Sequence, residues 1–183
     1  MDDIVKQAMA KWPNVPACYA WLGLDARGNW FMRDDQTQAL GNFASSSPGT
    51  KGSKLLHEKL IDFIQRNYSV DNIGQWYFQN GPQRVYVELE ATPHVWRVGV
   101  NGDVNSHTGE VARPQRCFVD EHGHVYLECA LGADVVLGLV HTLDVWQASQ
   151  AVEQGLWVPE EVFIEDLPAR FNYVRSPAMR QAA

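Results

Sequence analysis

Residues 75–92, QWYFQNGPQRVYVELEAT, constrain the fold more tightly than any other stretch of this chain. After Asn80-Gly81, Val85, Val87 and Leu89 alternate with Arg84, Tyr86, Glu88 and Glu90. An extended strand with one buried face satisfies that period of two, and a helix does not. Asn-Gly supplies the positive φ of a tight hairpin turn, and Pro82, with no N–H to give a ladder, suits a turn or a strand start. The expectation is a hairpin whose aliphatic groups point inward and whose ionic neighbours look outward.

Similar punctuation recurs along the chain. Asp25-Ala26-Arg27-Gly28 separates CYAWLGLD from NWFMRD, and Asp120-Glu121-His122-Gly123 separates CFVD from HVYLEC. Both fit a type I turn followed by a left-handed glycine. Asn101-Gly102 joins HVWRVGV to DVNSH as a further turn signal. Helical spacing is rarer. Met1–Lys11 carries Ile4, Val5, Ala8 and Met9 on one stripe and stops before Pro13. Ser53 is expected to cap a helix to about Asn67 bearing Leu56, Leu60, Phe63 and Ile64, and Thr142 to open one closed by Gly155. Residues 36–52 shift to Gln, Asn, Ser, Gly and Thr and read as a mobile loop. Residues 130–141 are apolar and ambiguous, and the tail after Pro159 holds one strand, EVFIE.

These elements predict an α+β protein with mainly antiparallel sheets, two principal helices and about seven to nine strands. There is room for two small coupled lobes, residues 1–73 and 74–183, divided near 69–74. By the usual scaling a chain of 183 residues buries roughly 70% of its surface on folding, enough for a core without staples.

Composition narrows the function. With 15 basic and 22 acidic residues the net charge is -7, which gives no general attraction for nucleic acid or anionic membranes. The N-terminus lacks a signal-peptide core and no run of apolar residues is long enough to span a membrane. A soluble, cytoplasmic protein of bacterial type is expected, monomeric or homodimeric. Cys18, Cys117 and Cys129 contain no C-x-x-C pair; if residues 120–123 form a turn, Cys117 falls opposite about Tyr126 and Cys129 lies too far along to bridge it. Free, buried thiols are expected. Seven tryptophans imply aromatic-rich packing first and a lined cavity second.

No reaction announces itself. Gly49–Lys54 leads into a helix but matches no phosphate-binding loop, and no G-x-G-x-x-G or G-x-S-x-G occurs. His122 and His124 share a turn, with only Glu121, His107 or Glu128 to complete a metal site, and the spacing matches no metal signature. Neither metal nor cofactor is expected. His57 and His141 suit exposed or capping positions. Glu88 and Glu90 fall on one side of a strand and could flank a substrate, yet with Arg84 and Tyr86 they also read as a solvated face with compensating charge. A ligand site, if built there, takes Tyr86, Glu88, Glu90, His94 and Arg97.

The words W-Y-F-Q-N-G-P-Q-R-V-Y-V-E-L-E, preceded by A-W-L-G-L-D-A-R-G-N-W and followed by T-P, resemble a small proteobacterial family catalogued as a domain of unknown function. The order is also similar to a second such family, in which D-x-x-G-x-W, a short helix, a strand pair and V-E-L-E-like residues succeed one another. The resemblance spans about residues 20–93 and, more loosely, the rest to E-D-L-P-A-R-F-N-Y-V-R-S-P. It implies a compact mixed fold and a ligand-sensing or signalling-associated role, and it supplies no catalytic residue. The leading expectation is a non-enzymatic module that binds a small molecule or a partner protein. The alternative is a hydrolase using Glu88 or Glu90 as general base with His94 or His107 nearby.

Overall fold

The structure is a computed structural model that describes residues 1–182. It is α+β, and the chain divides into two compact units, residues 1–25, 29–91 and the described residues from 173 on forming one and residues 26–28 and 92–172 the other. This division differs from the expected boundary near 69–74, because the strands that follow it complete the first sheet.

The first unit contains α1 (Asp3–Lys11), β1 (Cys18–Leu24), β2 (Trp30–Met32), α2 (Asp35–Ala39), β3 (Ser53–Lys54), α3 (Glu58–Arg66), β4 (Tyr68–Val70), β5 (Trp76–Asn80) and β6 (Gln83–Leu89). Their sheet runs β3-β2-β1-β6-β5-β4. The β5–β6 hairpin forms as expected, with one refinement. Asn80 pairs with Gln83 as the last rung, so Gly81-Pro82 is the loop. Gly81 takes φ 56° and Pro82 is confined by its ring to negative φ. Helix α3 starts later than Ser53, because Ser53 and Lys54 are claimed by pairing with Met32 and Phe31. His57 caps it instead, its Nδ1 accepting from Leu60 N at 3.3 Å.

The second unit contains β7 (His94–Val98), β8 (Val104–Ser106), β9 (Val111–Asp120), β10 (Val125–Leu131), β11 (Asp134–Val140), a 3-10 turn (Thr142–Asp144), α4 (Val145–Glu153), β12 (Pro159–Val162), a second 3-10 turn (Ile164–Asp166) and α5 (Leu167–Arg170). Its sheet runs β10-β11-β7-β8-β9-β12, and β9 also pairs with β10. Strands β7 to β11 therefore close on themselves as a five-stranded barrel, which removes most free edges. Trp96 lies at its centre, fully buried, with Nε1 donating to Leu127 O at 2.8 Å. Only glycine fits beside that indole, since a Cβ on Gly138 would lie 2.4 Å from Nε1. Cys117 and Cys129 belong to the same core as free thiols. Cys117 pairs with Leu127, one rung from the position expected for it.

Three pairings are parallel, β1 with β6, β11 with β7 and β12 with β9. After the second unit the chain returns to the first, where α6 (Pro177–Ala182) contacts β6 and β1.

Candidate functional site

The outward face expected of β6 is covered. Val87 and Leu89 are buried as the alternation requires, but Tyr86 and Glu88, on the other face, are buried too, at 6% and 3% exposure. Tyr86 stacks on Tyr19 with ring centroids 4.6 Å apart and donates its hydroxyl to Asp71 Oδ2 at 3.1 Å. Burial pushes Asp71 up, but bonds from Gln75, Ile73 and Tyr86 outweigh it and hold the carboxyl below its ordinary range. Arg84 stays exposed, its guanidinium 4.6 Å from the Tyr77 ring centre. Glu90 is half-buried and pairs with Lys51 Nζ at 2.7 Å.

Glu88 is covered by the returning C-terminal segment. Leu89 N donates to Arg175 O at 2.8 Å, and Val174 N donates to Gly74 O at 2.9 Å. The Glu88 carboxylate accepts from Ser176 Oγ and, at 3.1 Å, from Ala178 N in the first turn of α6. Desolvation raises the Glu88 pKa, while these two bonds and the field of Arg33 oppose the rise. Two rules of helix starts explain α6. Ser176 is its cap, accepting from Met179 N at 3.3 Å, and Pro177 occupies the first helical position, where no N–H is needed.

Residues 36–52, expected as a mobile loop, contain the end of α2 and supply the opposite wall, tied to the sheet by side-chain contacts. Buried Arg33 donates through Nε to Thr50 O at 2.7 Å, through Nη1 to Ala20 O at 3.3 Å and through Nη2 to Gly41 O. Phe43, 1% exposed, lies so close to Gly23 that a Cβ there would meet its ring at 2.4 Å. Between loop, strand and tail lies a cavity of about 360 Å³, lined by Asn42, Phe43, Ala44, Ser45, Glu88, Leu89, Arg175, Ser176 and Met179. It combines a buried carboxyl, a guanidinium, an amide and two hydroxyls with apolar walls, the mixture that orients a small ligand.

His94 and Arg97 belong to the second unit, whereas Tyr86, Glu88 and Glu90 belong to the first. His94 Nδ1 lies 2.9 Å from Ser106 Oγ, and its ring stacks on Trp96 at 5.3 Å. Burial, then neighbouring His107, hold it well below the ordinary imidazole range, so it is neutral. Arg97 pairs with Asp144, Nε to Oδ2 at 2.5 Å, and Asp144 also accepts from Val98 N at 3.1 Å. Among the described residues no three His, Cys, Asp or Glu side chains gather to hold a metal ion, and no helix is long and apolar enough to cross a membrane. Arg33, Phe43, Arg175 and Ser176 were not singled out by their spacing. Ser176-Pro177, a cap followed by proline, was the signal that the tail ends in a helix.

A solved structure of a DUF1285 family protein from Silicibacter pomeroyi DSS-3 aligns with a TM-score of 0.49 at 12% identity, over 82% of this chain and 84% of that chain. No curated protein matches. The DUF2944 family model, described as "Protein of unknown function (DUF2946)", matches residues 1–178. The late words that pin Glu88 and the early words of the hairpin thus fall within one matched span, and the chain belongs to this family of proteins of unknown function.

Proposed function

We propose that this protein is a non-enzymatic, small-molecule-binding module of regulatory type, and that its ligand occupies the cavity walled by Asn42–Ser45, Glu88 and Arg175–Met179. The supporting observation is the buried carboxyl of Glu88 in a cavity of about 360 Å³ assembled from three segments distant in sequence. A perturbed titratable group in a concave site marks functional sites more often than chance. The ligand suited to these walls is a small amphiphile with an amine or hydroxyl for Glu88, an anionic or carbonyl end for Arg175, and an apolar body against Phe43, Leu89 and Met179. The proposal places the module in the bacterial cytoplasm, where its three thiols stay reduced.

A thermal-shift screen of amino acids and small amphiphilic metabolites tests it. Hits are expected to raise the melting temperature of the wild type and to lose that effect in Arg175→Ala and Ser45→Ala. A library that shifts nothing at millimolar concentration counts against the reading.

One observation favours a second reading. Glu88 has both attributes required of a general base in a hydrolase, a carboxyl raised by burial and a cavity beside it. The histidines expected to assist it, His94 and His107, belong to the other unit. Loss of turnover in Glu88→Gln, on any substrate found, would favour this reading over the first.

A further inference from the structure

Strand β1 departs from regularity where it borders a second cavity of the first unit. Cys18 is opposite Val85 and Leu22 opposite Val87, so a four-residue step on β1 spans a two-residue step on β6. Within that bulge Ala20 adopts φ 65°, a left-handed conformation that an alanine takes only at a cost. In a regular strand adjacent residues face opposite sides. Here Trp21 and Leu22, together with Cys18, line the same cleft.

That cleft has a volume of about 280 Å³ and is walled also by Leu60 and Phe63 of α3 and by Phe78 of β5. No Lys, Arg, Asp, Glu or His lines it, and Asn80 contributes its one amide. Trp21 stands 40% exposed and Met32, another wall residue, 47%. The bulge re-aims a large aromatic toward the cleft at a backbone cost, a use to which bulges near binding sites are put. Atoms around an unfilled apolar space also lose dispersion contacts, so the feature is favourable when something fills it.

We propose that this cleft binds a small, neutral, apolar molecule carrying one hydrogen-bonding group for Asn80. The part of the ligand seated in the cleft is uncharged, because an ionised group held against these walls would find no partner among them. Size follows from volume. An apolar cavity of about 150 Å³ takes benzene, so this one accommodates a fused or linked aromatic of two to three rings, or an alkyl chain of similar bulk. The site shares no lining residue with the Glu88 cavity, so either can fail without the other.

The test uses the full chain and the neutral probe N-phenyl-1-naphthylamine, which fluoresces in apolar surroundings. Saturable binding of one probe per chain at micromolar concentration is expected, weakened at least tenfold in Trp21→Ala. Asn80→Asp, a near-isosteric change that puts a charge on the polar end of the cleft and leaves its apolar walls intact, is expected to weaken it similarly. Cys18 provides a second readout. Its alkylation by N-ethylmaleimide, mapped by mass spectrometry, is expected to slow at least fivefold when the probe is saturating. Absence of saturable binding, wild-type affinity in both variants, or an unchanged Cys18 rate would overturn the proposal. So would a doubled solution mass that the probe halves, which would assign the cleft to a second copy of the chain.

Discussion

Arg33 is the residue on which the loop at 36–52 depends. A polar loop cannot hold itself by burial, and a guanidinium with five donors is the side chain able to tie several carbonyls at once. Its bonds to Thr50, Ala20 and Gly41 join loop to strand, and its charge offsets part of the cost of burying Glu88. Arg33→Met is expected to destabilise by about 3 kcal/mol in urea titration, through unsatisfied buried carbonyls. The thiols differ as sharply. Burial pushes Cys117 up to about 11 and Cys129 up to about 12, whereas Cys18 is half-buried in a cleft wall. In the folded protein maleimide is therefore expected to label Cys18 and spare the other two. For Glu88 the folded pKa lies above the unfolded one. Its contribution to stability is full below about pH 4, the unfolded range, and is lost as pH rises through the folded pKa. Glu88→Gln is expected to remove that part of the decline in stability between mildly acidic and neutral pH, read from urea midpoints across the range.

At the scale of elements, local signals told true where turns carried them. Gly81, Gly28, Gly123 and Gly102 stand where Asn-Gly and D-x-x-G placed turns, each at positive φ, and the four antiparallel hairpins they mark all form, with Cys117 one rung from its expected partner and the central loop shifted to Gly81-Pro82. Parallel pairs leave no such mark, so the neighbours of β1, β7 and β9 across the sheet were invisible. The start of α3 was misplaced because pairing with β2 outweighed the capping preference of Ser53. Residues 36–52 read as a mobile loop from their composition, which does not encode the tertiary contacts that Arg33 and Phe43 make with them and within them. The bulge in β1 belongs here too. Its left-handed alanine predicts that Ala20→Gly raises stability by about 0.5–1 kcal/mol, measurable as a higher urea midpoint, since glycine takes that φ without steric cost.

At the scale of the whole molecule, the α+β class was legible, since period-two alternation outnumbers helical spacing along the chain. The site was legible only in part. Glu88 was named, but the reading of β6 assumed a free polar face, and a segment some 88 residues away lies on it. No local pattern around Glu88 reports a cover supplied by the far end of the chain. His94 and Arg97 joined the expected site by nearness in sequence, and the chain enters its second unit just before them. Each unit carries its own core, and the first carries both cavities proposed to bind ligands. The account rests on a Glu88 carboxyl buried beneath the tail and beside a cavity. Its most direct measurement is a site-resolved NMR titration of the Glu88 side-chain carboxyl carbon. The account predicts a midpoint above the ordinary glutamate range, separated from the surface glutamates. A Glu88 midpoint within or below the ordinary glutamate range would contradict it.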